Sequence, residues 1–374
     1  MSRKLITRRD FLKLSAVSLG SLALRPWNDL NFDHFANGLP EFPQSDRLGR
    51  VCKGMLEVKA RPNLDSQTVG VLYEDAVVPW IREVIGDRPA YVFSNQRWVE
   101  TPDGYIYSPL LQPVRYLPNV PVKTLTETSI GPGMWAEVTV PYVETIMDRE
   151  PSSNSWVEAR IDEGLPVRFY FKQIFWVDRL RTDDAGQVYY RVNPNYYGGY
   201  DMIWAAASAF RPMKSEELRS ISPDVEDKWI EIDINHQTLS CYEGESEVCF
   251  CRVSTGALYD YQGNRVDSWE TPLGQHIITR KYISLQMSGG TTGAGYDLPG
   301  IGFSSIFATG GVAIHSTFWH NNYGDTMSHG CVNVSPDDAR WIFRWTRPAV
   351  PVDPGKVDVT VSGEASTPVT VIAS

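Results

Sequence analysis

The sequence lacks the excess of basic residues that nucleic-acid-binding proteins need. Its 374 residues include 35 Lys and Arg against 45 Asp and Glu, which gives a formal net charge of −10 and a pI near 5.2. Affinity for nucleic acid rests mainly on Lys and Arg contacts to phosphate groups. A nucleic-acid partner is therefore not expected, and the acidic balance gives no attraction toward anionic lipid.

The sequence also lacks an apolar run long enough to span a bilayer comfortably. A short, weakly apolar stretch covers residues 14–24, and it follows Thr7-Arg8-Arg9-Asp10-Phe11-Leu12-Lys13. Paired arginines before such a stretch resemble the twin-arginine export signal, so residues 1–27 are predicted to be a signal with its h-region and not part of the fold. The alternative is a chance basic start before an amphipathic helix.

This resemblance implies that the twin-arginine export machinery is a partner of the chain. The protein is then expected to be exported across a bacterial inner membrane and to be periplasmic or associated with the cell wall. No A-x-A cleavage site follows the apolar stretch, so an uncleaved signal could remain as a membrane anchor.

Cysteine is scarce, and its count is odd. With five cysteines, at least one thiol stays unpaired even if the others form disulfides. Cys241 and Cys249 flank a predicted turn and could face each other across a hairpin, which permits a disulfide in an oxidising compartment. Cys249 and Cys251 share one face of a strand and are poor partners for each other. Cys52 has no evident mate.

The spacing of histidine and cysteine does not match a recognised zinc pattern. A group that could in principle bind zinc comprises His315, His320, Asp325, His329 and Cys331. Structural zinc sites usually pair their ligands at short, regular intervals, which this group does not do. No metal or other cofactor is therefore expected.

Short strand-like segments cut by turn signals predict a mainly β protein with several domains. After a linker at 28–47, residues 48–118 contain five such segments and a Pro-Asp-Gly turn at 102–104. The order of Val58-Lys59-Ala60-Arg61-Pro62, Trp98-Val99 and Asp103-Gly104-Tyr105-Ile106 resembles bacterial Src-homology-3-like (SH3-like) barrel modules. Such modules accompany wall enzymes, where they bind wall peptide or glycan or position the catalytic part.

Residues 125–213 repeat part of this pattern and are predicted to form a second, divergent β module. The alternative is a strand-rich insertion that packs on the catalytic part. Aromatic residues are dense in this region, and most of them are expected in the core, although they could form a stacking surface for sugars. Residues 214–225 are predicted to be a linker with one short helical turn.

From residue 226 to the end, the pattern changes to a β-meander with a turn at 243–246. An apolar strand over Gly311–Ile314 is predicted to place His315 and Ser316 at its end. Further on, a helix is predicted from its start signals, with Ser335 as N-cap, Pro336 at the first position and two aspartates in the first turn.

Cys331 lies between a polar loop and this helix, in a setting that suits a reactive thiol. A cysteine is nucleophilic as thiolate, which a neighbouring imidazolium from His315 or His329 would favour. Gly330 would let the backbone approach a substrate, so that N–H groups face a developing oxyanion. The alternatives are a buried, inert cysteine and a non-catalytic wall-binding protein.

Several motifs occur in the order typical of the L,D-transpeptidase catalytic domain (YkuD type). They are Ser254-Thr255-Gly256, Thr271-Pro272-x-Gly274, His315-Ser316 and Ser328-His329-Gly330-Cys331-Val332-Asn333. The resemblance covers about 226–352 and implies a β-sandwich-like domain over 226–374 with one or two short helices. Its last strand is expected at Thr367–Val371.

The same resemblance assigns roles to individual residues. It implies that Cys331 is the nucleophile, that His315 is its base or ion-pair partner, and that the Ser316 carbonyl orients the imidazole. The remaining site residues would form the oxyanion hole, the supporting loop and a substrate-covering flap, and they are His329, Gly330, Ser328, Asn333, Tyr296 and Met287. Glycines at 289, 290, 293 and 295 suit a mobile flap.

The implied activity is peptidoglycan L,D-transpeptidation by ping-pong acyl transfer. Cys331 would attack the carbonyl of the third stem-peptide residue, release the terminal D-alanine and pass the acyl group to an amine. With water as acceptor, the enzyme would instead be an L,D-carboxypeptidase. The expected partners are therefore peptidoglycan stem peptides.

Overall fold

The computed structural model describes residues 38–87, 94–149, 152, 154–193, 202–259, 264–289 and 296–374. Within these residues the fold is mainly β, as predicted, with five sheets and three α-helices. The predicted signal at 1–27 and the first part of the linker, 28–37, lie outside the described residues. No helix in the described ranges is long and apolar enough to cross a membrane.

The N-terminal region contains two sheets. Its strands are β1 (Leu48–Val51), β2 (Met55–Lys59), β3 (Thr68–Tyr73), β4 (Val77–Pro79), β5 (Arg82–Ile85), β6 (Arg97–Thr101), β7 (Gly104–Tyr107) and β8 (Leu111–Val114). The larger sheet has the order β3-β2-β7-β6-β5, and the smaller has β4-β1-β8. The predicted turn at 102–104 joins β6 to β7. Strands β1, β5 and β8 were not predicted, because their sequences show no alternation.

The middle region forms one eight-stranded sheet and one helix. Its elements are β9 (Thr126–Thr128), β10 (Gly131–Val138), β11 (Tyr142–Met147), α1 (Ser155–Asp162), β12 (Arg168–Tyr170), β13 (Ile174–Thr182), β14 (Val188–Asn193), β15 (Ile203–Ala206) and β16 (Phe210–Pro212). The order is β12-β11-β15-β14-β13-β10-β16, with β9 paired to β10. Trp135, Trp156 and Trp176 are buried, as predicted. Helix α1 was not predicted.

The C-terminal region has two five-stranded sheets. Its elements are β17 (Lys228–Asp233), β18 (Thr238–Glu243), β19 (Ser246–Arg252), β20 (Gly274–Ile277), β21 (Arg280–Gly289), β22 (Tyr296–Ile306), β23 (Ala313–Ser316), β24 (Val332–Val334), α2 (Pro336–Trp345), β25 (Lys356–Asp358), α3 (Val359–Ser362) and β26 (Pro368–Ile372). The sheet orders are β19-β18-β17-β26-β20 and β24-β23-β22-β21-β25. The predicted meander and last strand are confirmed, and β26 runs parallel to β17.

One hydrophobic core joins these two sheets and helix α2. Ile232 from β17, Ile283 from β21 and Ile342 from α2 belong to the same buried cluster. Trp135 and Ile174 of the middle region are part of that cluster too, and the Ser284 hydroxyl donates to the Ile174 carbonyl at 2.5 Å. The middle region therefore has its own core and also packs directly on the C-terminal sheets.

At both ends of helix α2, side chains form hydrogen bonds with backbone N–H and carbonyl groups that have no partner within the helix. Ser335 accepts a hydrogen bond from the Asp338 N–H at 3.2 Å, which confirms the predicted N-cap. At the other end, the buried Lys281 ammonium donates to the carbonyls of Phe343, Thr346 and Pro348. Burial holds the pKa of Lys281 well below its usual range, but three accepting carbonyls need the three N–H bonds of the ammonium form. A cation also suits a helix C-terminus, so both ends of α2 are fixed.

The cysteines of the hairpin lie where the sequence predicted. Cys241 of β18 pairs directly with Cys249 of β19, and Cys251, two residues further along β19, is buried. All five thiols of the chain are free in this structure. Cys241 and Cys249 thus lie opposite each other in a register that permits a disulfide, but they form none in this structure.

Candidate active site

Two short parallel strands bring His315 and Cys331 to one face of a sheet. Ile314 pairs with Val332, and His315 pairs with Asn333. Cys331 immediately precedes β24, so continuing the register places it beside Ala313. Because alternate residues of a strand share a face, Ala313, His315 and Cys331 face the same side. Gly311 and Val312 precede this strand, although the sequence predicted them as part of it.

His315 is held in a single tautomer. Its Nδ1 lies 2.9 Å from the Ser316 carbonyl, and a carbonyl only accepts hydrogen bonds, so Nδ1 carries the proton. Burial lowers the pKa of His315 to about 4, partly offset by this hydrogen bond. At neutral pH the imidazole is therefore neutral, and its Nε2 lone pair is the group that can accept a proton.

Cys331 is partly exposed and lies in a small apolar cluster with Met287 and Tyr296. Although part of the residue reaches the surface, the protein atoms packed around its thiol raise the pKa to about 11, and a hydrogen bond from the Ala313 backbone lowers it in part. The sequence suggested a thiolate favoured by an imidazolium. Here burial disfavours both charges, so the free protein holds a neutral thiol and a neutral imidazole.

The turn before Cys331 is closed by the Ser328 side chain. The Gly330 N–H donates to the Ser328 hydroxyl at 3.1 Å, and that hydroxyl donates to the Cys331 carbonyl. Gly330 has a φ of 117°, a conformation that favours glycine. Of the predicted oxyanion donors, the Gly330 N–H thus already has a partner within the turn.

Asn333 and the buried His320 form a polar pair next to this turn. The Asn333 amide lies 2.9 Å from His320 Nε2, and the Asn322 N–H donates to His320 Nδ1 at 3.1 Å. Burial, with the nearby His315, lowers the pKa of His320 to about 3. A neutral imidazole whose Nδ1 accepts must donate from Nε2, so Asn333 must present its amide oxygen to it.

His329 lies between two aromatic rings. Its ring centroid is 4.1 Å from that of Trp269 and 5.0 Å from that of Tyr296. Burial raises the pKa of Tyr296 to about 12, so its hydroxyl is protonated at neutral pH and can donate. Tyr296 pairs with Gly289 near the end of the β21–β22 hairpin. The other glycines of the predicted flap, at 290, 293 and 295, lie outside the described residues.

The upstream motif Ser254-Thr255-Gly256 holds the segment that carries Cys331. Ser254 exchanges two backbone hydrogen bonds of 2.9 Å with Asn333. The Thr255 carbonyl accepts from the N–H groups of Met327 and Ser328, at 3.0 and 3.1 Å. The sequence identified this motif but did not predict that it pairs with the turn before Cys331.

Sequence reasoning missed two tryptophans at this site. The indole of Trp319 stacks on the His315 ring with centroids 5.8 Å apart, and Trp269 contacts His329. Both lie outside regular strands, where side chains follow no periodic pattern. Within the described ranges, no group of three or more His, Cys, Asp or Glu side chains is placed to hold a metal ion.

Comparison with known protein families gives a match in the C-terminal region. Residues 227–370 match the family model of the L,D-transpeptidase catalytic domain, YkuD. This region is therefore similar to L,D-transpeptidase catalytic domains. No curated protein sequence matches the chain.

Solved L,D-transpeptidase structures are similar to the chain at low identity. The Ldtfm-avibactam carbamoyl enzyme is 23% identical over 41% of this chain and 51% of that chain, with a TM-score of 0.30. A cysteine-to-serine mutant of the Enterococcus faecium L,D-transpeptidase is 22% identical over 40% and 51% of the two chains, with a TM-score of 0.29. The Mycobacterium smegmatis enzyme is 19% identical over 52% and 77%, with a TM-score of 0.30. The chain thus spans about half the length of the first two.

Proposed function

We propose that the protein is a peptidoglycan L,D-transpeptidase with Cys331 as nucleophile and His315 as general base. The observation that carries the proposal is the shared sheet face of Cys331 and His315, within a domain that matches this family. The Ser316 carbonyl fixes the imidazole so that Nε2 accepts a proton. A thiol and an oriented base on one face are two parts of the arrangement that a cysteine acyltransferase needs.

In the proposed first step, proton transfer and attack are coupled. Sγ of Cys331 attacks the carbonyl carbon of the third stem-peptide residue while Nε2 of His315 takes the thiol proton. The tetrahedral intermediate then collapses, its C–N bond breaks, and the imidazolium returns the proton to the amine of D-alanine, which leaves. A neutral thiol beside a neutral imidazole suits this order, because no buried charge exists before substrate arrives.

Hydrogen-bond donors around Cys331 would stabilise the oxyanion of that intermediate. The proposed donors are the backbone N–H groups of His329 and Cys331, since that of Gly330 already bonds Ser328, with the protonated Tyr296 hydroxyl nearby. Met287 and Tyr296 would form the floor of the flap over the substrate. Ser328 and Asn333 would hold the turn rather than contact the substrate.

In the second step, an acceptor resolves the thioester. A side-chain amine of another stem attacks the carbonyl, transfers its proton to His315 and releases the Cys331 thiol, which yields a cross-link. Water as acceptor would yield a free tripeptide, and the protein would then be an L,D-carboxypeptidase. A wall-binding protein without activity is the other candidate.

The test is intact-protein mass spectrometry of the full chain with a disaccharide-tetrapeptide, beside Cys331→Ala. We expect a covalent adduct on the unmodified chain alone, together with D-alanine and cross-linked dimer. Tripeptide without dimer would indicate the carboxypeptidase. Neither adduct nor product, with a folded protein, would overturn the proposal and favour wall binding.

We propose in addition that the twin arginines direct export to the bacterial periplasm or wall. The support is the sequence of residues 7–24 alone. Replacing Arg8 and Arg9 together by lysine should leave the protein in the cytoplasm, as fractionation would show. Unchanged export of this variant would contradict the proposal.

A further inference from the structure

The loop that joins β23 to the turn before Cys331 is buried to an unusual degree. We call residues 317–327 the connector. Its members that are at most 5% exposed are Thr317, Phe318, His320, Asn321 and Asn322. Buried backbone needs hydrogen-bond partners, which a surface loop would find in water. The partners of the connector come largely from the N-terminal region, more than 200 residues earlier.

The first anchor of the connector is Arg50 of β1. Its Nη2 donates to the Phe318 carbonyl at 2.9 Å. The guanidinium is 1% exposed, forms an ion pair of 3.0 Å with Asp75, and also bonds Gln112. A buried cation held by several partners has one geometry, so the Phe318 carbonyl is fixed in position.

The second anchor holds the connector three to four residues later. The Asn321 N–H donates to the Pro109 carbonyl at 2.7 Å, and Arg97 Nη2 donates to the Asn321 carbonyl at 2.7 Å. The Asn95 amide donates to the Asn322 side chain at 3.2 Å. Both backbone groups of Asn321 are therefore satisfied by the N-terminal region.

The residues between the two anchors contact the candidate catalytic groups. Trp319 stacks on the His315 ring, and His320 pairs with Asn333, two residues after Cys331. The positions of these two side chains depend on the position of the backbone that carries them. The anchors at Phe318 and Asn321 fix that backbone on either side.

We propose that the N-terminal region, residues 48–118, is a positioning element of the active site, acting through the connector on His315 and Asn333. Arg97 and Asn95 are then positioning residues, although they lie in a different part of the chain from the catalytic groups. Tests of this inference that measure turnover rest on the proposed function. Tests that measure the reactivity of Cys331 directly do not rest on it.

Arg97→Gln is the variant that tests the inference. The Arg97 side chain is 32% exposed, so its loss should weaken the connector without unfolding the core. Arg97→Lys keeps the charge and is the conservative variant. Arg82→Gln is the matched control, because Arg82 lies in the same region but binds Glu100, away from the connector. Asn95→Ala is a second test should Arg97→Gln fail to fold.

Two readouts are made on the full chain, with thermal unfolding as a check of folding. The first is the pH dependence of Cys331 alkylation by iodoacetamide, followed on the Cys331 peptide by mass spectrometry. A looser connector admits water, so the midpoint for Arg97→Gln should fall from about 11 toward the ordinary thiol value near 9. The second is kcat and KM on the disaccharide-tetrapeptide, where kcat should fall about 10-fold or more with KM little changed.

The outcomes separate positioning from stability. Arg82→Gln should match the unmodified chain in both readouts, and Arg97→Lys should recover part of the change. If Arg97→Gln and Asn95→Ala both fold and leave the midpoint and kcat unchanged, the inference is wrong. If the unmodified chain has no turnover, the proposed function fails, and the alkylation profile alone still decides the inference.

Discussion

Thr271 links two segments of the candidate active site through one hydroxyl group. Its Oγ1 donates to the Gly330 carbonyl at 2.8 Å and accepts from the Gly256 N–H at 2.9 Å. The residue is 1% exposed, so water does not compete for these bonds. The position of the turn at Cys331 therefore depends on a threonine 60 residues upstream.

Replacing Thr271 by valine removes both bonds while keeping the side-chain shape. It leaves a buried N–H and a buried carbonyl without this partner, which costs about 1–3 kcal/mol per unsatisfied group. We expect a lower free energy of unfolding in urea and a fall in kcat of about 10-fold. Thr271→Ser keeps the hydroxyl and is the control. Equal stability of the valine and serine variants would contradict this account.

Gly256 cannot carry a side chain without a shift of the backbone. A Cβ at this position would lie 1.8 Å from the Trp269 carbonyl oxygen, far inside van der Waals contact. We expect Gly256→Ala to lower the melting temperature markedly and to reduce activity, because the segment that pairs with Ser328 must move.

The matched control is Gly70→Ala. A Cβ there would meet the Val58 side chain at 3.6 Å, an ordinary contact, so stability should stay within about 1 kcal/mol of the unmodified chain. Similar melting temperatures for the two alanine variants would show that the close approach at Gly256 is easily relieved.

The sequence predicted those parts of the site that local patterns encode. The strand with His315, the turn at 243–246 and the cap at Ser335 follow from alternation and from residue preferences at turns and helix starts. Cys331 stood out because His329 and Gly330 precede it. Each of these features depends on residues within a few positions of one another.

The rest of the site depends on contacts between distant segments. Arg50 reaches Phe318, and Thr271 reaches Gly330, although no pattern in the sequence indicates that the two members of either pair meet. The charge states were also beyond sequence reasoning, because burial lowers the pKa of His315 more than its hydrogen bond to the Ser316 carbonyl raises it. Burial is a property of the packed fold rather than of the local sequence.

The pKa of His315 predicts the acid limb of activity. A general base must be unprotonated, and burial lowers this pKa to about 4. Activity governed by His315 should therefore persist through pH 6 and fall as the pH drops through about 4, measured as kcat/KM between pH 3 and 8. An acid limb near 6.5, the ordinary histidine value, would show that the imidazole is solvated during turnover.

Histidine burial also predicts how stability changes with pH. The pKa values of His315 and His320 are lowered on folding, to about 4 and about 3, so between those values and 6.5 the unfolded chain binds more protons. Stability should fall as the pH drops from 6.5 toward 4. Carboxylates also destabilise the protein at the lowest pH, so the contribution of His320 is isolated with the variant His320→Gln. Its melting temperature should fall less steeply between pH 6.5 and 4 than that of the unmodified chain.

Asn333 should be required as a hydrogen-bond acceptor for His320. Because His320 Nδ1 accepts from the Asn322 N–H, its Nε2 must donate. The substitution Asn333→Leu would leave that buried N–H unpaired, at a cost of about 1–3 kcal/mol. Asn333→Asp keeps an acceptor and adds a negative charge, which should raise the pKa of His320. Nitrogen NMR of the histidines would report both the Nε2–H tautomer and this pKa. A proton on Nδ1 instead would show that the Asn333 amide donates its N–H to Nε2. In that case the leucine variant would leave the Nε2 lone pair of His320 without a donor.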